Sequence, residues 1–380
     1  MDGETLERFR REFPVTERYI YMTHAGIAAI PRRSAERAAA LADTVSRTGD
    51  RHWPDRNAEA ERVRGLAAQL IGARHPHEVA FVENTSTGVS MAAEGIDWRS
   101  GDNVVSAELE FPSNAYPWMR LAEHGVEVRL AQERQGRIDP DELLGLIDGR
   151  TRAVALSWVQ YASGFRSDLA RIGAVCRERD ILFVVDVIQG LGGLVLDVER
   201  DLVDIAMASA HKWLLGPEGI GILYVSDRVV ERLRPFRSGW RSMRNLYEWT
   251  ELDLTWNEGA KRFESGTLNG MGIVAFGGAL EVILEAGPAE IERQVLALGD
   301  RAARGFADLG FSVVSSRRPG ETSGIVTAVH PQRDAEELAQ ALAERDIILA
   351  ARAGRLRAAP HFYNTHEEMD RVFAALGEMV

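Results

Sequence analysis

Short apolar runs recur along this chain at residues 79–82, 103–107, 126–130, 152–158, 181–186, 203–208 and 220–225. Runs of that length, bounded by glycine, proline or polar clusters, read as buried strands. Between several of them apolar residues return at helical spacing, most clearly over 167–179, where Leu169, Ile172 and Cys176 share one face. Strands alternating with helices predict a mostly parallel sheet with helices on both faces. Upstream, Leu6, Phe9 and Phe13 predict a short helix, and 34–46 and 58–71 predict two longer ones joined by a loop at 51–54. A strand beginning at Tyr19 runs into a small-residue loop before Pro31. Past about residue 288 the pattern changes: helices over 290–309 and 335–345 are interleaved with short strands at 311–314, 324–329 and 347–350. The expected class is α/β. Residues 1–18 form a segment packing on a smaller domain, 19–270 a large domain carrying the sheet, and 271–380 a smaller α+β domain opened by a long bridging helix.

Composition narrows the partners. A formal net charge of -12 disfavours nucleic acid and anionic membrane surfaces. A single cysteine, Cys176, excludes an internal disulfide and a cysteine-based metal cluster, and no metal site is expected. The first residues are charged and lack the apolar core of a signal peptide, and no apolar run approaches a membrane span. A cytoplasmic protein acting on a small molecule is the expectation.

The run 181–186 ends in one carboxylate, Asp186, followed by Val187-Ile188-Gln189-Gly190. An acid at the carboxyl end of a buried parallel strand lies where open α/β sheets bind ligands, and there it commonly meets a cation. The next strand leads into Ser209-Ala210-His211-Lys212-Trp213-Leu214, then a turn with Gly216, Gly219 and Gly221. Small and bulky apolar neighbours shield the Lys212 stem, and desolvation makes a lysine amine nucleophilic. Those glycines precede a strand, whereas a dinucleotide fingerprint follows one and opens a helix; the order argues against a nicotinamide cofactor. A carboxylate, an amide and a lysine on successive strand ends suit pyridoxal 5'-phosphate, whose ring nitrogen needs an anionic partner and whose aldehyde needs an amine.

Asp-x-x-Gln, Ser-x-His-Lys and a Gly-x-x-Gly-x-Gly turn together resemble the class V aminotransferase family, which includes cysteine desulfurases, kynureninases and isopenicillin N epimerase-like proteins. The resemblance covers nearly the whole chain and implies a fold-type I enzyme with a seven-stranded sheet. It implies Lys212 as Schiff-base lysine and catalytic base, Asp186 on the ring nitrogen and Gln189 on the ring oxygen. Thr85, Ser86, Ser209 and His211 take the phosphate positions. The helix start Asn84-Thr85-Ser86 also suits an anion on physical grounds. Thr267, in Arg262-Phe263-Glu264-Ser265-Gly266-Thr267, falls where the family reaches the phosphate of the other subunit, which implies a homodimer with shared active sites. Phe111 takes the place where desulfurases carry a histidine and looks like the kynureninase arrangement; phenylalanine stacks but carries no proton. His24 and Ala25 fall on the loop approaching the substrate. Arg357, ahead of Tyr-Asn-Thr-x-Glu-Glu, takes the place of the substrate-carboxylate arginine, whose fork fits a carboxylate bidentately.

The implied activity is chemistry on an amino acid, ranked as a lyase (β-elimination, C–S cleavage being one case) slightly ahead of an aminotransferase or epimerase. An inactive scaffold is the distant alternative, disfavoured by the intact Asp186, Gln189 and Lys212. No cysteine occurs between 350 and 356, and Cys176 lies on an apolar helix face, so a protein-bound persulfide is not expected. Trp240, Tyr247, Trp249 and Trp256, within 238–257, mark a substrate-side loop or a dimer contact.

Overall fold

The computed structural model describes residues 1–246, 248 and 250–380; Tyr247 and Trp249 of the 238–257 stretch lie outside the described residues. Seven strands form one sheet in the spatial order Val79–Val82, Gly221–Val225, Ile205–Ser209, Leu182–Asp186, Thr151–Ser157, Asn103–Ala107, Glu127–Ala131. Gly221–Val225 runs antiparallel to both neighbours, and the other pairings are parallel. The inner strands are mostly apolar and buried because both faces are covered. Successive residues feed two cores: Phe183 and Val185 pack on one side of the sheet, Leu182 and Val184 on the other. The α/β expectation holds.

One helix begins earlier than its periodicity suggested. Trp53–Ile71 starts inside the expected 51–54 loop, because Pro54 sits in its first turn, where a missing N–H costs nothing. The apolar helix Gly270–Ala286 is buried at Ile273, Phe276 and Leu280 and packs on Arg32–Thr48 and Trp53–Ile71. No single helix is long and apolar enough to cross a membrane.

A second, antiparallel sheet has the order Ser312–Val313, Val326–Val329, Arg355–Ala358, Ala350–Arg352. Leu298, Phe306, Leu338, Leu356 and Val372 form its core under the helices Pro288–Asp308, Ala335–Ala343 and His366–Gly377. The N-terminal segment reaches across to this part: Phe13 stacks on Tyr363 at 3.8 Å and Phe9 meets Phe362 edge-on at 5.6 Å. Arg355–Ala358 was not expected as a strand. Its Arg-Leu-Arg pattern alternates as a strand does, with Leu356 in the core and Arg357 buried on the other face.

The edge strand Val79–Val82 is closed by a buried ion pair. Arg64, fully buried in Trp53–Ile71, donates to Glu264 Oε1 at 2.7 Å and Oε2 at 3.2 Å, and to the Val79 carbonyl. Glu264 also accepts the Phe81 N–H at 2.8 Å, satisfying a donor that an edge strand would leave open. Both groups are desolvated, so removing one charge strands the other. Glu264→Gln should therefore lower stability by roughly 3–5 kcal/mol. Urea denaturation of the apoprotein measures it, and an unshifted midpoint would show that the pair is dispensable.

Candidate functional site

The site forms at the carboxyl ends of Leu182–Asp186 and Ile205–Ser209. Asp186 is buried and accepts the Ile188 N–H at 2.9 Å, the first turn beyond the strand. It has no ion-pair partner among the described residues. Burial pushes its carboxyl up from the ordinary 3.8 to about 7, and the nearby charge of Glu110 adds to that push. Burial likewise lowers the Lys212 ammonium to about 8; the Asp186 carboxylate resists the shift, and Arg357 and Arg352 reinforce it. Lys212 Nζ lies 5.5 Å from the centroid of the Phe111 ring, which is half exposed and edge-on to Tyr161. The Lys212 loop is held from beneath: Gly192, at φ 101, lets its backbone approach so closely that a Cβ there would fall 2.1 Å from the Trp213 carbonyl.

The phosphate-type turn opens the helix Thr85–Gly95. Asn84 Oδ1 caps the Thr87 N–H at 2.9 Å, and Ser209 Oγ accepts the Thr85 N–H at 2.8 Å. The Ser209 N–H in turn donates to Thr85 Oγ1 at 2.9 Å, while Ser86 Oγ donates to Ser113 Oγ at 2.7 Å. The Ser86 N–H has no acceptor among the described residues outside its own helix. Gly88 allows this helix to press on the adjacent strand, since a Cβ there would meet Met207 Cβ at 2.8 Å. The helix N-terminus is thereby set against Ser209, an arrangement ready for an anion.

Arg357 is buried, with Nη1 donating to the Tyr161 carbonyl at 3.1 Å and Nε without an acceptor among the described residues. No carboxylate pairs with it among the described residues. Burial, then the charge of Arg352, lowers its guanidinium to about 10. Three buried or half-buried groups thus await complements: Asp186 a cation, Arg357 an anion, Lys212 an electrophile. A pyridoxal ring with its amino-acid substrate supplies all three, so the residues fit the cofactor.

Other expected residues are placed less simply. Gln189 donates through Nε2 to the Ala25 carbonyl at 3.1 Å and accepts the Trp213 indole N–H at 3.2 Å, which leaves one amide hydrogen for a ring oxygen. Ala25 is buried and holds Gln189 through its backbone, and the neighbouring Gly26 approaches Arg357. His211 is half-buried beside Lys212, its pKa lowered by burial and by that lysine. Thr267 is exposed, lines a cavity of about 150 Å³ with Glu83 and Gly219, and bonds none of Thr85, Ser86, Ser209 or His211. The expectation for His24 is corrected. Its ring is fully buried, with Nδ1 on the Ala359 carbonyl at 2.8 Å and Nε2 on Tyr363 Oη at 2.6 Å. Burial drops its pKa to about 4, so it is a neutral structural ring with no face toward a substrate.

Glu110 was missed as a functional position. It is buried and accepts from Ser157 N at 2.9 Å, Ser157 Oγ, Asn114 Nδ2 at 2.7 Å and Gln160 Nε2 at 2.7 Å. Ser157 is the register partner of Asp186, so this carboxylate braces the strand end beneath the site and the start of the Phe111 helix together. An acid just beyond an apolar strand was the available signal. Glu108-Leu109-Glu110 hid it, because two acids two apart read as a solvated loop.

Fold and site together define a fold-type I pyridoxal-phosphate enzyme. Residues 20–372 match the family model "Aminotransferase class-V", and the chain belongs to that family. It is similar to a cysteine desulfurase of Cronobacter sakazakii, 30% identical, with 98% of this chain and 97% of that protein covered. A probable cysteine desulfurase of Pyrococcus abyssi is 27% identical over the same shares. Among solved structures, a complex of the cystine C–S lyase C-DES with its reaction product cysteine persulfide superposes with TM-score 0.90, at 25% identity, over 96% of this chain and 99% of that one. A C-DES variant with glycine covalently linked to its pyridoxal phosphate gives TM-score 0.91 at 25% identity, over 97% and 99%. The cofactor of this enzyme is pyridoxal 5'-phosphate.

Asp186 generates a pH prediction for the apoprotein. Its folded pKa, about 7, stands above the unfolded 3.8, so the stabilising proton is held below pH 4 and lost as pH rises to 7. Lys212 acts oppositely, and only from about 8 up to 10.5. At pH 8 the Asp186→Asn apoprotein should be more stable than wild type by on the order of 1–3 kcal/mol, while retaining pyridoxal phosphate poorly. Paired melting curves at pH 4 and 8 check this, and equal stability at pH 8 would contradict it.

Proposed function

We propose that this enzyme is a lyase that breaks the Cβ–S bond of a sulfur-bearing amino acid by elimination, using no thiol of its own. One observation carries the reading. The sole cysteine, Cys176, is buried in the helix Leu169–Glu178, and burial, with the Asp204 charge, pushes its thiol up to about 12. The segment ahead of Arg357, where an attacking cysteine would need a mobile loop, is instead a two-residue turn, Ala353-Gly354, between paired strands.

The bound pyridoxal phosphate supplies an electrophilic carbon for the substrate amine and a ring that withdraws electrons from Cα. Asp186, as carboxylate, would hold the proton on the cofactor's ring nitrogen, and that cation would lower the carboxyl pKa again. Arg357 grips the substrate carboxylate and orients the Cα–H bond. Lys212, neutral above about pH 8 even before the site closes, takes that proton at Nζ. The Cβ–S bond then breaks with its electron pair leaving on sulfur, and the released enamine hydrolyses to a keto acid and ammonia. Phe111, beside Lys212 where it would face the bound cofactor, has no proton to offer, so the leaving sulfur would have to depart as a stable anion. We further propose a homodimer with shared sites. The exposed Thr267, unbonded to its own phosphate turn, and the exposed Leu252 and Leu254 support it.

The decisive experiment is turnover of Cys176→Ala. Activity should stay within about twofold, since surface-remote core changes of this size cost little beyond stability, with keto acid and ammonia formed in equal amounts. Loss of activity together with a persulfide trapped on Cys176 in the wild type would overturn the reading. Arg357→Lys keeps the charge but loses the fork. Amino-acid affinity should fall by on the order of 1.5–3 kcal/mol while cofactor absorbance persists. Unchanged affinity would move the carboxylate elsewhere.

A further inference from the structure

The hairpin ahead of the C-terminal helix carries more positive charge than one substrate carboxylate can answer. Register pairs Arg352 with Arg355 and Ala350 with Arg357, so the three arginines share one face, while Leu356 turns away into the small-sheet core. That face looks toward the site. Arg355 Nη1 donates to the Ala162 carbonyl at 3.3 Å and Arg357 Nη1 to the Tyr161 carbonyl at 3.1 Å, beside the ring that meets Phe111. Among the described residues none of the three has a carboxylate within ion-pair reach.

For a buried arginine such as Arg357 this is unusual among the described residues. Arg64, Arg10 and Arg262, buried or nearly so, each have an acidic partner. Like charges directly opposite each other on antiparallel strands destabilise the pair. Ala353 in the connecting turn also holds the left-handed conformation, at φ 51, next to Gly354 at φ 69. The tight turn sets Arg352 directly opposite Arg355, with Arg357 buried and Arg352 at the exposed tip. Their field is felt at the reacting amine, since Arg352 helps to depress both Lys212 and Arg357. Arg357 is assigned to the α-carboxylate, which leaves Arg352 and Arg355 without an anion. Guanidinium forks favour oxyanions, carboxylates foremost.

We propose that the substrate is a doubly anionic amino acid, with a second carboxylate beyond its sulfur bound by Arg352 and Arg355. The proposal rests on the lyase reading for the sulfur, and on the arginine face alone for the second anion. Binding therefore tests it separately from turnover.

The experiment titrates the holoenzyme spectrum with S-carboxymethylcysteine and with its neutral amide, S-carbamoylmethylcysteine, which have nearly the same shape. The acid should bind at least tenfold more tightly. Arg352→Gln, at the exposed tip where folding is not at risk, and Arg355→Gln should each cut that preference severalfold, and the double variant should bring it near one. Equal affinity for acid and amide in wild type, or a preference that survives the double variant, would overturn the proposal. If the preference is found but no sulfur substrate yields keto acid, the lyase reading fails and the anion subsite stands.

Discussion

The structure is organised around buried charges without partners. Asp186 and Arg357 both act on Lys212, and each is desolvated and without an ion-pair partner among the described residues. A buried ion is stable only when another charge or a set of donors answers it. Here the answering charges belong to the cofactor ring and the substrate, so the apoprotein carries a strain that loading relieves. That is why the pKa shifts run as they do. Asp186 is drawn toward its neutral acid and Lys212 toward its free amine, the form that attacks a carbonyl carbon.

Holding uncompensated charges apart requires a rigid frame, and the frame is built from polar groups that are fully answered. Glu110 receives four hydrogen bonds and locks the Asp186 strand end to the Phe111 helix. Arg64 and Glu264 join the edge strand to the segment that carries Thr267. His24, His361, Tyr363 and Trp213 form a buried ring cluster in which His24 bonds Tyr363 and His361 bonds the Trp213 carbonyl at 3.0 Å. Trp213 then bonds Gln189, so the cluster ends on a residue of the site. A half-answered network would be worse than an apolar core, and the bracing residues are nearly all satisfied.

Much of this was legible in the sequence. The inner strands announced themselves because burial on both faces leaves continuous apolar runs, and Asp186 and Lys212 stood out as single charges at the ends of such runs. What escaped was context. His24 looked like a site residue because its neighbours Ala25 and Gly26 do approach Gln189 and Arg357; only the side-chain direction, into the Tyr363 cluster, separates it from them. Glu110 and the 350–358 hairpin were obscured for the opposite reason. Charged residues close together in sequence resemble solvated loops, and only tertiary contacts reveal that they face inward.

Two residue choices restrict the chemistry further than the fold does. A site with an aromatic proton carrier over the ring can protonate a poor leaving group, and one with a loop thiol can pull sulfur away by attack. Position 111 is phenylalanine, and the turn at Ala353-Gly354 is too short and tightly paired to deliver a nucleophile. The proposed elimination would then expel sulfur as an anion after proton loss to Lys212. Positive charge nearby favours such a departure, because developing negative charge is stabilised most where water is excluded and the cations are already fixed. The buried Arg357 meets that condition, and the pair proposed to bind the substrate's second anion, Arg352 and Arg355, adds positive charge on the same hairpin face.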